Sequence, residues 1–190
     1  LCPHAADAQE ALDFGDAPSP YPTLLADNGA CHSTVFMAWL GPAADVELDG
    51  FPDALALGDD LNQLDDEDGV QFITPIVPGQ TTRVLVNSYC GAMAGAFISG
   101  WVDFNCDGDW SDAGEQILSD VPAPFPSYGQ TVDVAVPADA SLGSTYARFR
   151  ICTMPGLTFE GFAGDGEVED YLVNIVSLDW GDAPDTYFTL

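Results

Sequence analysis

The stretch "TVDVAVP", residues 131–137, alternates valine with polar or small residues. Successive side chains of an extended chain point to opposite faces, so Val132, Val134 and Val136 share one apolar face. That is the pattern of a half-buried strand. The stretch "TTRVLVNS", residues 81–88, repeats it, with Arg83, Leu85 and Asn87 on one face against Val84 and Val86 on the other. Similar runs lie at 33–40, 70–74, 96–104, 145–152 and 167–176, each bounded by Gly, Pro, Asn or Asp. No segment carries a long apolar stripe at the helical period of 3.6. The pattern predicts an all-β fold, a β-sandwich or jelly-roll-like antiparallel domain with long acidic loops. One helical turn is expected, near 53–56 or 138–142.

The chain has 190 residues, 47% of them hydrophobic, enough for a packed core. No apolar run approaches the eighteen residues of a membrane span. The first residues, "LCPHAADAQEAL", show neither the basic start nor the apolar centre of a signal peptide. Thirty-one acidic residues, 24 Asp and 7 Glu, face three arginines and no lysine. Such a chain repels phosphate backbones and anionic membranes, so nucleic acid and membrane insertion are excluded as partners. A halophile surface is the alternative source of this charge. It would spread acids over every exposed face, whereas these are gathered in short knots.

Residues 178–190, "LDWGDAPDTYFTL", repeat residues 12–24, "LDFGDAPSPYPTL", at nine of thirteen positions. The offset, 166 residues, is the size of a domain and too long for a solenoid period. The expected organisation is an N-terminal extension over 1–11 and one β-domain over 12–177. Residues 178–190 then start a second repeat or form a connecting segment between subunits.

Five cysteines, Cys2, Cys31, Cys90, Cys106 and Cys152, lie far apart without a CxxC pair. This argues against a zinc ribbon, a thioredoxin-type site and c-type haem. Disulfides in an oxidising compartment are expected among Cys31, Cys90, Cys106 and Cys152, in any of three connectivities, with Cys2 left free or bonded to another chain.

The acidic residues form four knots. In "DVELDGFPD", residues 45–53, Asp45, Glu47, Asp49 and Asp53 alternate around Gly50, which permits a sharp turn. In "DFNCDGDWSDAGE", residues 103–115, Asp103, Asn105 and Asp107 precede Gly108 as in the first half of an EF-hand loop. Asp109, Asp112 and Glu115 complete that set, although Glu115 falls one residue late and the flanking segment reads as a strand. In "GDDLNQLDDEDG", residues 58–69, Asp59, Asp60, Asp65, Asp66, Glu67 and Asp68 crowd within ten residues. Two like charges 4 Å apart repel by about 1 kcal/mol in water and about 4 kcal/mol at an effective dielectric of 20, so a counter-ion is required. In "GDGEVEDY", residues 164–171, Glu167 and Glu169 share one strand face and Asp170 takes the other. They are expected to close a site with Asp13 and Asp16 of "DFGDAP", or else to form a solvated edge strand. Hard oxygen donors in such number suit Ca²⁺, more than one ion, better than Mg²⁺.

In order along the chain stand "DFGDAP", "PTLLADNGA", "DVELDG", "DDEDGV", "VPGQTT", "GWVDFNCDGDWSDAGEQI", "VPADASLGSTYARFR" and "GDGEVEDYLV". This ordered set resembles the GEVED domain family of bacterial secreted and cell-surface proteins, over nearly the whole span 13–175. The resemblance implies a β-rich extracellular module, repeated or appended to larger surface proteins and enzymes, with calcium loops and no catalysis of its own. Cys31 stands where that family often has Arg, and Cys106 where Gly is common, which suggests added disulfide cross-linking.

Catalysis has little to work with. The two histidines are His4 and His32, and no G-x-S-x-G, H-E-x-x-H or phosphate loop is present. His32 is expected to be a hydrogen-bonded structural residue. Trp39 and Trp101 lie in apolar runs and are expected in the core, whereas Trp110, in the second acidic loop, is the candidate for stacking on a sugar. Two functions follow as expectations. The first is a calcium-stabilised extracellular structural module, a repeat unit of a bacterial surface protein, adhesin or filament whose partners are neighbouring copies. The second is a calcium-dependent carbohydrate-binding module of a secreted enzyme, with surface glycans as partners.

Overall fold

Strand β5 (Thr81–Cys90) carries the alternation furthest: Thr82, Val84, Val86, Ser88 and Cys90 are buried, and the residues between them are exposed or half-exposed. The computed structural model describes residues 12–33, 38–42, 44, 46–58, 67–91, 95–124 and 127–178. One edge of β5 pairs with β8 (Ser127–Ala135) from Thr81 opposite Ala135 to Tyr89 opposite Ser127. Its other edge is shared by β3 (Ala38–Leu40) and β4 (Val70–Phe72). A second antiparallel sheet has the order β11 (Glu167–Ile175), β9 (Gly143–Cys152), β6 (Phe97–Val102), β7 (Gln116–Pro122).

The two sheets enclose one core. Leu40, Val70, Val84, Val86 and Val134 from the first meet Ile98, Val102, Leu118, Phe149, Ile151 and Val173 from the second. Phe72 and Phe149 touch edge to face across the sandwich with centroids 6.1 Å apart. The all-β sandwich expected from the sequence is present. Its two main sheets are antiparallel. A third, small sheet departs from that rule: β1 (Leu12–Phe14) pairs antiparallel with β2 (Cys31–Ser33), and β10 (Phe162–Ala163) pairs parallel with β2.

That small sheet and the segments around it cover the outer face of the second sheet. So β9 is buried on both faces from Ala147 to Cys152, and the alternation that marks β5 is lost there. Under this cover lies a second apolar cluster of Ala17, Tyr21, Trp101 and Trp110, bordered by Tyr146, Leu157 and Phe159. The one helical turn expected near 53–56 or 138–142 is at neither place; both hold hydrogen-bonded turns, Ala56 N–H to Asp53 O and Ala140 N–H to Pro137 O. The 3-10 turn among the described residues is Leu25–Asp27. It closes on Asn28 in the left-handed region, with φ of 57°.

Candidate functional site

The acidic loop 103–115 joins β6 to β7, and its base is fastened by the Val102 N–H to Glu115 carbonyl bond of 2.9 Å. Asp103 is fully buried and organises the turn. Its Oδ1 accepts from the Cys106 and Asp107 amides at 2.6 and 3.3 Å; its Oδ2 accepts from the Gly108 amide at 3.0 Å and the Tyr21 hydroxyl at 2.6 Å. Cys106 and Gly108 both take positive φ, 62° and 95°, which turns the chain sharply enough for three amides to reach one carboxylate. The side chains of Asn105, Asp107 and Asp109 then each accept from the amide two residues on, the short-range turn that Asn and Asp favour.

This geometry draws Asn105, Asp107 and Asp112 together. The Asn105 amide nitrogen donates to Asp107 Oδ2 at 3.0 Å and to Asp112 Oδ2 at 2.6 Å. A partial positive charge thus sits between two carboxylates. Glu115 lies beneath, accepting from the Phe104 and Asp112 amides. Burial, reinforced by the charges of Asp103 and Asp112, pushes its carboxyl up to about 7. The Asp109 carboxyl is lowered by hydrogen bonds from Ser111. An open depression of about 310 Å³ is lined by Asn105, Asp112, Glu115 and Asp139. Asp139 was not singled out in the sequence: it sits in "PADAS", thirty-four residues from Asn105, and only the fold brings it here.

Among the described residues no three His, Cys, Asp or Glu side chains are already set at metal-ligand geometry. The donor chemistry nonetheless fits a hard cation: Asp107, Asp112, Glu115 and a rotated Asn105 amide all offer oxygen. The titration of Glu115 gives a direct check. Its carboxyl binds a proton more tightly in the fold than in the unfolded chain, so ionisation costs stability as pH rises from about 4.5 to about 7. In chelator, denaturant unfolding at pH 4.5, 6 and 7.5 should show that loss, and Glu115→Gln should reduce it. An identical slope in the variant contradicts this assignment.

The other knots are arranged differently. Asp45, Asp59, Asp60, Asp65, Asp66 and Cys2 lie outside the described residues. Glu47 accepts from the Phe14 amide at 3.1 Å, Asp49 from Leu25 and Gly50, and Asp53 from Leu55. The three described carboxylates of this first knot, Glu47, Asp49 and Asp53, are thus each turned to different backbone amides. From the third knot, Asp68 packs against Gly41, where even a Cβ would lie 1.9 Å from its Oδ1.

The fourth knot has the most definite structural role. Glu167, Glu169 and Asp170 are at most 1% exposed, so the solvated-edge expectation is corrected. Glu167 accepts from the Leu40 amide, and Glu169 accepts from the Gly69 amide at 2.9 Å and the Tyr171 hydroxyl at 2.8 Å. Both thereby fasten β11 to the opposite sheet. Asp170 points the other way and meets Arg148 in two parallel bonds of 2.7 Å, while also accepting from the Ala17 amide. Asp13 accepts from the Val168 amide at 2.7 Å and Asp16 from the Gly58 amide at 2.6 Å. Asp13 and Asp170 thus join "DFGDAP" to β11 by carboxylate-to-amide bonds, while Glu167 and Glu169 face the opposite sheet and Asp16 bonds the Gly58 amide.

His32 is structural, as expected. Its Nε2 accepts from Arg150 Nε at 2.8 Å, which leaves Nδ1 to donate to the Asp165 carbonyl at 2.7 Å. Burial first, then the Arg150 charge, holds it well below the usual imidazole range, so the ring is neutral. Trp110 corrects an expectation: it is 2% exposed, donates from Nε1 to the Tyr146 carbonyl, and packs on Tyr21 and under Arg148. It offers no face to a sugar. Trp39 also departs from its core assignment, being half-buried and stacked on Tyr89 at 4.0 Å.

The cysteines depart from expectation as well. Cys90, Cys106 and Cys152 carry thiols, and Cys31 is disulfide-bonded to none of these three. They occupy separate places in the fold: Cys90 in the main core, Cys106 exposed on the acidic loop, Cys152 at the end of β9 with its thiol donating to Asp165.

Residues 97–174 match the family model of the GEVED domain. That span runs from β6 through β11 and includes the acidic loop, both buried arginines and "GEVED" itself. No curated protein matches the chain. Among solved structures, the CARDB domain of a Pyrococcus furiosus protein, crystallised in complex with di-metal ions, aligns at a TM-score of 0.33 and 8% identity. The alignment covers 56% of this chain and 84% of that one.

Proposed function

We propose that this chain, which carries a GEVED domain, is a non-catalytic, calcium-stabilised extracellular structural module. It would act as a repeat unit of a bacterial surface protein, adhesin or extracellular filament, with neighbouring copies as its partners. The observation that carries the reading is the acidic loop, where the Asn105 amide stands between the Asp107 and Asp112 carboxylates beside the buried Glu115 carboxyl. A divalent cation in that position would satisfy all four side chains and let Glu115 ionise. The rest of the acid supports a structural role, because its described members mostly tie backbone segments together.

Thermal melting with calcium and with chelator, at fixed ionic strength, tests this. Calcium at a hundredfold excess over its dissociation constant stabilises by about 2.7 kcal/mol, a rise of about 5–10 °C in a domain of this size. Asp107→Asn with Asp112→Asn should abolish the rise. An unchanged melting temperature in the unsubstituted chain would overturn the calcium reading and favour a halophile surface.

A second reading, a carbohydrate-binding module of a secreted enzyme, is favoured by one observation. The stacked Trp39–Tyr89 pair borders an open depression of about 480 Å³ together with Asn87 and Ser88. An aromatic platform flanked by polar side chains suits the apolar face and hydroxyls of a sugar ring. On that reading the stacking residue is Trp39 rather than Trp110.

A further inference from the structure

Residues 12–24 are bound to the rest of the fold as a peptide is bound in a cleft. The Leu12 carbonyl accepts from the Glu47 amide at 2.7 Å, and the Asp16 carbonyl from the Asp53 amide at 2.9 Å. Asp13 and Asp16 take the Val168 and Gly58 amides, and the Ala17 amide donates to Asp170. Tyr21 reaches Asp103, and Arg148 Nη1 donates to the Pro22 carbonyl at 2.7 Å. Leu12, Asp13, Phe14, Asp16, Ala17, Tyr21 and Thr23 are all buried in this seat.

Residues 178–190 match that segment where it is buried. Six of those seven residues recur unchanged, and Phe14 is replaced by another aromatic, Trp180. Gly15, where a Cβ would lie 2.4 Å from Asp170 Oδ2, recurs as Gly181. The remaining differences fall at exposed Ser19 and Pro20 and at half-buried Pro22, from which the seat uses only the carbonyl. Identity kept at six of the seven buried positions, with an aromatic at the seventh, is what a shared binding seat imposes. Leu178, the first residue of the second copy, is 47% exposed where Leu12 is 5% exposed, so it is not seated in its own domain as Leu12 is.

We propose that the seat of residues 12–24 accepts residues 178–190 of another copy of this chain, so that copies join head to tail by segment exchange. The proposal deepens the structural-module reading and rests on it for its biological setting. Recognition lies in two carboxylates spaced three residues apart meeting two backbone amides, a glycine against Asp170, and a tyrosine on Trp110. The chain's own segment competes at high effective concentration, so exchange is visible once that segment is weakened.

The test uses the full 190-residue chain. Gly15→Val should dislodge the resident segment and yield head-to-tail oligomers by size exclusion with light scattering. Adding Gly181→Val should return the protein to monomer. A synthetic peptide of residues 178–190 should raise the melting temperature of the double variant, and the same peptide carrying G181V should not. A fluorescent 178–190 peptide should also be captured by the unsubstituted chain on warming towards its transition, which covers the case in which Gly15→Val fails to fold. A monomeric Gly15→Val, oligomers that persist in the double variant, or a peptide that neither stabilises nor is captured would each overturn the proposal. Repeating the series in calcium and in chelator separates the two ideas. Tail-dependent oligomers with calcium-insensitive melting sink the calcium reading alone.

Discussion

Asp170→Ala is expected to remove about 3–5 kcal/mol of stability, the cost of stranding one member of a buried ion pair. Asp170 and Arg148 are both fully buried, so the guanidinium left behind is held out of contact with bulk solvent. The substitution also deprives the Ala17 amide of its acceptor, which loosens the segment that covers the second sheet. Arg148 would keep its bonds to the Pro22 and Phe159 carbonyls, which are dipoles and cannot neutralise it. Native stabilities run to about 5–15 kcal/mol, so the loss is a large share of the total. Urea unfolding measures it, and the double variant Asp170→Ala with Arg148→Met should recover part of it by removing the stranded charge. A loss under about 1 kcal/mol would show that the pair is solvated.

Trp110→Ala should cost a similar amount, about 3–5 kcal/mol, as other large-to-small changes of buried aromatics do. The indole is the centre of the second cluster. Tyr21 lies 4.4 Å away between centroids, the Arg148 guanidinium 4.6 Å from the ring, and Phe159 on a further side at 6.3 Å. Removing it opens a cavity under the acidic loop and unseats Tyr21, whose hydroxyl holds Asp103. Denaturant unfolding should therefore show the lost stability, and on the proposed calcium reading a smaller calcium effect as well. Trp110→Phe, which keeps one ring but loses the Nε1 bond to Tyr146 and part of the packed volume, should cost less. An equal loss in both variants would show that a smaller ring does not restore the packing of this cluster.

The strands that face solvent on one side were legible in the sequence. β5 and β8 alternate residue by residue because one face of their sheet is wet. β9 and β11 were found as short runs bounded by turn residues, but which residues they bury was not legible, since both faces are covered. β1, β7 and β10 were missed, and β2 (Cys31–Ser33) was touched only at Ser33 by the run 33–40. β1 and β10 are three and two residues long, and β7 contains Asp120, at φ of 50°, and a register shift against β6. The role of the carboxylates was the least legible feature. Glu169 meets Gly69 across 100 residues of chain and Asp13 meets Val168 across 155, separations at which no local pattern records the partner. Trp110 misled for a related reason: its acidic neighbours suggest a surface loop, yet that loop lies down on the outer face of β6 and β9.

The burial of Arg148 and Arg150 has an outcome beyond their ion pairing. With no lysine in the chain, the three arginines are the only bonds at which a trypsin-like protease can cut. Two of the three are at most 1% exposed, and the third, Arg83, lies within β5 with strands on both sides and its guanidinium held by Asp133. Such a protease needs several residues of free, extended backbone in its cleft, which none of the three sites offers while the sheets are intact. Degradation by this class of enzyme is thereby tied to unfolding.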